Sequence, residues 1–151
     1  MVGEKFTMRV AVHLILFKDG ETLLLRRFNT GWRDGEYSVV AGHVDGKETI
    51  THTMVREAKE EAGIDVREED LRLVHTMHRT NEVGIEYIDL FLTTEKWSGE
   101  PHVMEKDKCD DISWHLLDAL PDNTIPYIRL AIESIRKNMT FSEYDEPAVH
   151  A

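Results

Sequence analysis

The chain has 151 residues, of which 41% are hydrophobic, 31% charged and 8% aromatic. That length and apolar share suit one folded domain with a sizeable core and exclude a disordered chain. Eighteen Lys and Arg against 29 Asp and Glu give a net charge of −11, which disfavours a nucleic-acid duplex or an anionic membrane face as partner.

No window approaches the roughly 18 consecutive apolar residues of a membrane-spanning helix. The longest apolar run, residues 10–17, is interrupted by His13, and no leader pattern precedes it. The single Cys109 cannot form an internal disulfide. Together these features point to a cytoplasmic protein without a disulfide framework. In chain order, residues 9–17 (RVAVHLILF) read as a buried strand, Asp19-Gly20 as a hairpin turn and residues 22–27 (TLLLRR) as the returning strand. Residues 28–36 form a polar loop carrying Trp32, and residues 37–41 a short extended piece leading into Gly42.

Residues 49–62 lack glycine and proline, with Thr49 placed to cap the start of a helix and Gly63 to end it. Two further strands are expected over 71–80 and 86–95, joined by a turn over 81–84, and a short strand over 111–116. Residues 126–137 (PYIRLAIESIRK) pattern as an amphipathic helix with proline at its first position. The resulting order predicts an α/β domain over residues 1–137, built on a mixed sheet with helices packed against it. Residues 138–151 read as a mobile, polar, acidic tail. His13 and His75 read as packing residues, Tyr87 and Trp114 as core, Trp32 as a base platform or lid, and Cys109 as inert.

The chemistry concentrates in residues 42–64, GHVDGKETITHTMVREAKEEAGI. At about 100° per residue, Glu60 and Glu61 both fall within about 60° of Glu57 around the helix axis. Val55, Ala58 and Ala62 occupy a separate apolar sector. Clustered carboxylates repel one another, and a hard divalent cation relieves that repulsion. Arg56 supplies a partial counter-charge, so a solvated acidic helix face is the competing reading of an isolated REAKEE string.

The string is not isolated. Gly42, Glu48, Arg56, Glu57, Ala58, Glu60, Glu61, Gly63 and Ile64 fit the pattern G-x5-E-x7-R-E-A-x-E-E-x-G-I, which resembles the Nudix box of the Nudix hydrolase family. The resemblance implies an α/β/α sandwich around a mixed sheet, and hydrolysis of a diphosphate-linked compound with Mg²⁺ or Mn²⁺. It implies Glu57, Glu60 and Glu61 as metal carboxylates, and Glu57, Arg56 and Glu60 as the catalytic group. Glu57, oriented by Arg56, would be the first choice of general base, with a carboxylate outside the box, Glu105, as the alternative, and Glu48 would brace the loop. Ala41 stands where the family usually has glycine and would lend its carbonyl to the metal. Tyr37 stands where the approach to the box usually has tryptophan and is expected to touch substrate.

Residues 100–109 (EPHVMEKDKC) resemble a segment of nucleotide-pool-cleaning members, which implies Glu105 as a further metal carboxylate. Arg27, His43 and Asn123 occupy positions expected to meet phosphate or base. Signatures of the ADP-ribose, dinucleoside-polyphosphate, coenzyme A and NADH branches are missing. The expectation is therefore hydrolysis of a nucleoside triphosphate, including modified or oxidised purine nucleotides, to a monophosphate and pyrophosphate. The alternatives are cleavage of a nucleoside diphosphate linked to another moiety, as in NDP-sugars or ADP-ribose, and a non-cleaving nucleotide sensor. The partner is a small nucleotide, and the resemblance also allows a homodimer.

Overall fold

The computed structural model describes residues 3–81 and 83–147. Among the described residues, nine strands and two α-helices follow one another as β1 (Arg9–Leu14), β2 (Phe17–Lys18), β3 (Glu21–Arg27), β4 (Tyr37–Ser38), β5 (Val40–His43), α1 (Ile50–Ala62), β6 (Arg72–Asn81), β7 (Tyr87–Thr93), β8 (Cys109–Leu116), α2 (Pro126–Arg136) and β9 (Phe141–Glu146). Short 3-10 turns at Glu68–Asp70 and Leu117–Ala119 interrupt the connections. Among the described residues no helix is long and apolar enough to cross a membrane.

The strands divide between two sheets. One is mixed and runs β5-β1-β7-β6-β9, with β1 parallel to β7, β6 parallel to β9, and the other pairs antiparallel. The other centres on β3, which pairs antiparallel with β2, β4 and β8. The expected strand over 9–17 is therefore two: the chain leaves the first sheet after Leu14 and enters the second at Phe17. The piece over 37–41 divides in the same way, with Tyr37 and Ser38 on β3 and Val40 onward on β1.

Both helices pack by their apolar faces. Met54, Ala58 and Ala62 of α1 bury against Val12, Leu14, Val40 and Leu92 on one face of the mixed sheet. Ile128, Ala131 and Ile132 of α2 cover Ile15, Met77 and Phe91 on the other. Because strand side chains alternate, that second face also carries Ala41, His43, Ala11, His13, Asp89, Tyr87, Arg79 and Asn81. Only the first turn of α2, through Tyr127, reaches this polar end, and a cavity forms over it.

Residues 138–151 were expected to be a mobile tail, and this is corrected in part. Residues 141–146 form β9, parallel to β6 from Thr76–Phe141 to Asn81–Glu146. Their alternation is the cause: Ser142, Tyr144 and Glu146 turn inward while Phe141, Glu143 and Asp145 face solvent. Residues 148–151 lie outside the described residues, as does residue 82 of the expected 81–84 turn. There the Gly84 N–H reaches the Asn81 carbonyl at 3.2 Å.

Candidate active site

Helix α1 is held at both ends by local chemistry. The Thr49 hydroxyl accepts from the His52 N–H at 3.3 Å, satisfying a free donor of the first turn. Gly63 closes the helix at φ +69°, a left-handed conformation that costs glycine little. Between them Arg56 gathers the acidic residues. It donates to both Glu48 oxygens through Nε and Nη2 at 3.0–3.2 Å, and through Nη1 to Glu57 at 2.9 Å and Glu60 at 3.2 Å. That pairing holds the Glu48 carboxyl below its ordinary range.

Gly42 makes room for Glu57. A Cβ there would stand 2.5 Å from the Glu57 Cγ and Oε1 atoms, so only glycine lets β5 lie this close to the helix carboxylate. Burial raises the Glu57 pKa, the Arg56 charge pulls it back, and Glu60 and Glu105 push it up again. Glu61 turns to the start of β5 and accepts the Ala41 N–H at 3.0 Å. Loss of water drives its pKa well above the ordinary carboxylate range, offset in part by that N–H and reinforced by Glu57 and Glu105.

A cavity of about 600 Å³ opens beside these groups. Its lining runs from Ala41, Gly42, Glu61 and Glu105 past Arg27, His43 and Lys108 to Arg79, Tyr127 and Glu146. The expected residues Glu61, Glu105, Ala41, Arg27 and His43 thus share one cavity. Glu57 and Glu60 lie outside its lining, on the Arg56 side of the helix. Arg27 donates to the Trp32 carbonyl at 2.8 Å and lies 4.8 Å from the centre of its ring, which ties it to the loop over residues 28–36.

Two expected substrate contacts lie elsewhere. Tyr37 is 8% exposed, and its hydroxyl donates to Asp111 at 2.8 Å while His115 meets its ring edge. Its position pairs with Arg26 on β3, and Tyr37 itself is not part of the cavity lining. Asn123 donates its amide N–H to the Gly35 carbonyl at 2.8 Å and braces the loop instead of facing the cavity.

The far wall was missed from sequence. Arg79 lies between two tyrosines, 4.2 Å from the ring centre of Tyr87 and 4.1 Å from that of Tyr127. It donates to Asp89 through Nε and Nη2 and to Glu146 through Nη1. Burial works against the charge on Asp89, yet the His13 and Arg79 hydrogen bonds hold its pKa below the ordinary value. His13, expected as packing, is also the buried partner of Asp89 at 3.0 Å. Tyr87, expected in the core, stands on the cavity wall. The usable signal was period-two alternation: Met77 is core, so Arg79 and Asn81 share its face. Trp32 does line the cavity, 6.5 Å from the ring of Tyr127.

Among the described residues no three Asp, Glu, His or Cys side chains are gathered as a ready-made metal cluster. The donor chemistry nevertheless suits a hard divalent cation. Glu61 is a carboxylate with one N–H partner and no ion pair among the described residues, and Glu57 and Glu105 add to its negative field. Mg²⁺ generally takes one or two protein carboxylates and completes its shell with water and phosphate oxygens.

The NUDIX domain model matches residues 7–134. The NAD-capped RNA hydrolase NudC of Pseudomonas aeruginosa is 32% identical over 108 residues, which is 72% of this chain. The match spans only 36% of that relative's length. A MutT Nudix hydrolase from Burkholderia pseudomallei superposes with a TM-score of 0.77 at 27% identity, covering 85% of this chain and 98% of its own. The E. coli ORF135 protein shares the fold at a TM-score of 0.72 and 22% identity, over 86% of this chain and 89% of its own. Enzymes of this kind act on small molecules and generally use divalent metal ions. Matched to the family model over most of its length, with every charged position of the carboxylate helix intact, the chain belongs to the Nudix hydrolases.

Proposed function

We propose that the enzyme hydrolyses a nucleoside triphosphate, ordinary or oxidised purine nucleotides included, to a nucleoside monophosphate and pyrophosphate. The observation that carries this reading is the polarity of the cavity. Carboxylates Glu61 and Glu105 stand at one end and an aromatic–guanidinium stack of Tyr87, Arg79 and Tyr127 at the other, with Arg27 and His43 also in the lining. Phosphates belong at the first end and a flat base against the second. Mg²⁺ or Mn²⁺, held by Glu61 with Glu57, Glu60, Glu105 and the Ala41 carbonyl as further donors, would neutralise charge on the phosphates and acidify a bound water.

In the reaction, water oxygen bonds to phosphorus as the anhydride P–O bond breaks and its electron pair leaves with the pyrophosphate. Glu57 accepts the water proton, which its raised pKa favours. Arg56 holds the Glu57 carboxylate through a 2.9 Å hydrogen bond. Arg27, His43 and Lys108 orient the phosphates. A cytoplasmic setting belongs to the same reading.

The match to NudC supports a second reading, cleavage of a dinucleotide or another nucleoside diphosphate conjugate into two monophosphates. The two separate by products. The enzyme is incubated with ordinary and oxidised NTPs and dNTPs, NADH, ADP-ribose and nucleotide sugars, with Mg²⁺ or Mn²⁺, beside a Glu57→Gln variant. Pyrophosphate from a triphosphate, reduced about 10²–10⁴-fold in the variant, supports the first reading. Two monophosphates from the conjugates, with triphosphates untouched, support the second. Nucleotide binding without turnover would make the protein a sensor.

A further inference from the structure

The family model ends at residue 134, while the cavity draws one of its lining residues from beyond that point. Glu146, on β9, is 5% exposed and accepts two hydrogen bonds from different parts of the fold. Its Oε2 accepts from Arg79 Nη1 at 3.0 Å, and its Oε1 from Arg33 Nε at 3.2 Å. Arg79 belongs to the cavity floor, clamped between Tyr87 and Tyr127. Arg33 belongs to the loop that carries Trp32 and lies 5.6 Å from the centre of that indole ring. One carboxylate therefore ties floor to loop.

We propose that Glu146 is a positioning residue for the nucleoside end of the substrate, a role that rests on the nucleotide reading above. The Arg33 side chain is only 8% exposed, and Glu36 is its other acidic partner at 3.1 Å. Without the Glu146 charge, a nearly buried guanidinium loses half of its pairing and moves toward water. Trp32, its chain neighbour, moves with it, and the cavity loses its wall against the base. Arg79 keeps its two bonds to Asp89. The carboxylates are spared, because β5 and β9 are opposite edges of a five-stranded sheet, on the order of 20 Å apart. Among the phosphate-facing residues only Arg27, bonded to the Trp32 carbonyl, feels the loop move.

The test uses the full chain and two variants, Glu146→Gln and Arg33→Met. The second leaves the Glu146–Arg79 pair in place and breaks only the link to the loop. Binding of AMP, GMP and CMP, and separately of inorganic pyrophosphate with Mg²⁺, is measured by calorimetry. KM and kcat are measured on the triphosphates that the wild type cleaves. Both variants should bind the monophosphates at least about tenfold more weakly and raise KM alike, with kcat within about twofold and pyrophosphate affinity reduced by less than about threefold. If Glu146→Gln does not fold, Arg33→Met carries the same expectation alone. Unchanged monophosphate affinity in a folded variant overturns the role while leaving the nucleotide reading intact. Equal loss of monophosphate and pyrophosphate binding overturns it too, as a general structural effect. A wild type that neither binds nor cleaves any nucleotide removes the nucleotide reading, and this role with it.

Discussion

At Gly42 a single hydrogen in place of a methyl group decides where a carboxylate can stand. The Cβ of a Gly42→Ala variant would collide with the Glu57 side chain at 2.5 Å and push it off the position that Arg56 holds. Misplacement on the 1 Å scale costs about 10²-fold in rate, so kcat/KM should fall by about that factor. Steady-state kinetics beside a thermal melt would check it, the melt staying close to wild type because the Glu57 carboxylate can swing toward solvent. Glu61 makes the complementary case. Its folded pKa lies above the unfolded value of about 4.3, so the folded state holds the proton more tightly. Stability is then lost as pH rises from that value through the folded pKa. In metal-free buffer Glu61→Gln should melt higher than wild type at pH 8, and the difference should close below about pH 4. Activity should be lost at every pH.

At the level of elements, α1 carries the acidic residues of the Nudix box, and its ends are its weak points. Gly63 holds φ +69°, and a Cβ there would also stand 2.5 Å from the His102 ring. Gly63→Ala should therefore cost more than the roughly 1 kcal/mol typical of unfavourable glycine replacements, read as a lower urea midpoint with an unchanged slope. Thr49→Ala should cost about 1 kcal/mol by freeing the His52 N–H. Neither change touches a carboxylate, so at temperatures well below the melt kcat should stay near wild type in both. Strand β9 is exposed along one edge and charged on its outer face by Glu143 and Asp145, which discourages pairing with another chain.

Across the whole molecule, the floor of the cavity is a buried ionic network. His13, Asp89, Arg79, Glu146 and Arg33 join β1, β7, β6, β9 and the loop that carries Trp32. Removing one partner of a buried pair costs about 3–5 kcal/mol, since the other charge stays behind. Asp89→Asn should destabilise the fold by about that amount at pH 7. The Asp89 pKa is depressed in the fold, so its contribution is present above the unfolded value of about 3.9 and lost as pH falls through the folded one. Chemical denaturation at falling pH should show the gap between wild type and variant narrowing below about pH 4. A gap that stays constant to pH 2 would place the cost in packing and not in charge.

The carboxylate helix was readable because its signals are local: a cap at Thr49, an apolar face at Ala58 and Ala62, a stop at Gly63, and acidic residues three and four apart. The same holds for most strands, since alternation and turn residues act over a few positions. What no local signal carried was the pairing of distant segments. The chain changes sheets at Ile15 and again at Val39, β9 joins an edge set by β6, and Tyr37 and Asn123 turn away from a cavity that takes Arg79, Tyr127 and Glu146 in their place. Those outcomes depend on which faces bury against which partners. Arg79 becomes part of the cavity wall only because Tyr87 and Asp89 arrive from β7 and Glu146 from β9. The sequence by itself determined the family and the carboxylate helix, because that part is built on one helix and the glycine before it. Only tertiary packing decided the far wall of the cavity, because its charges are stable in the interior solely as pairs between residues far apart in the chain.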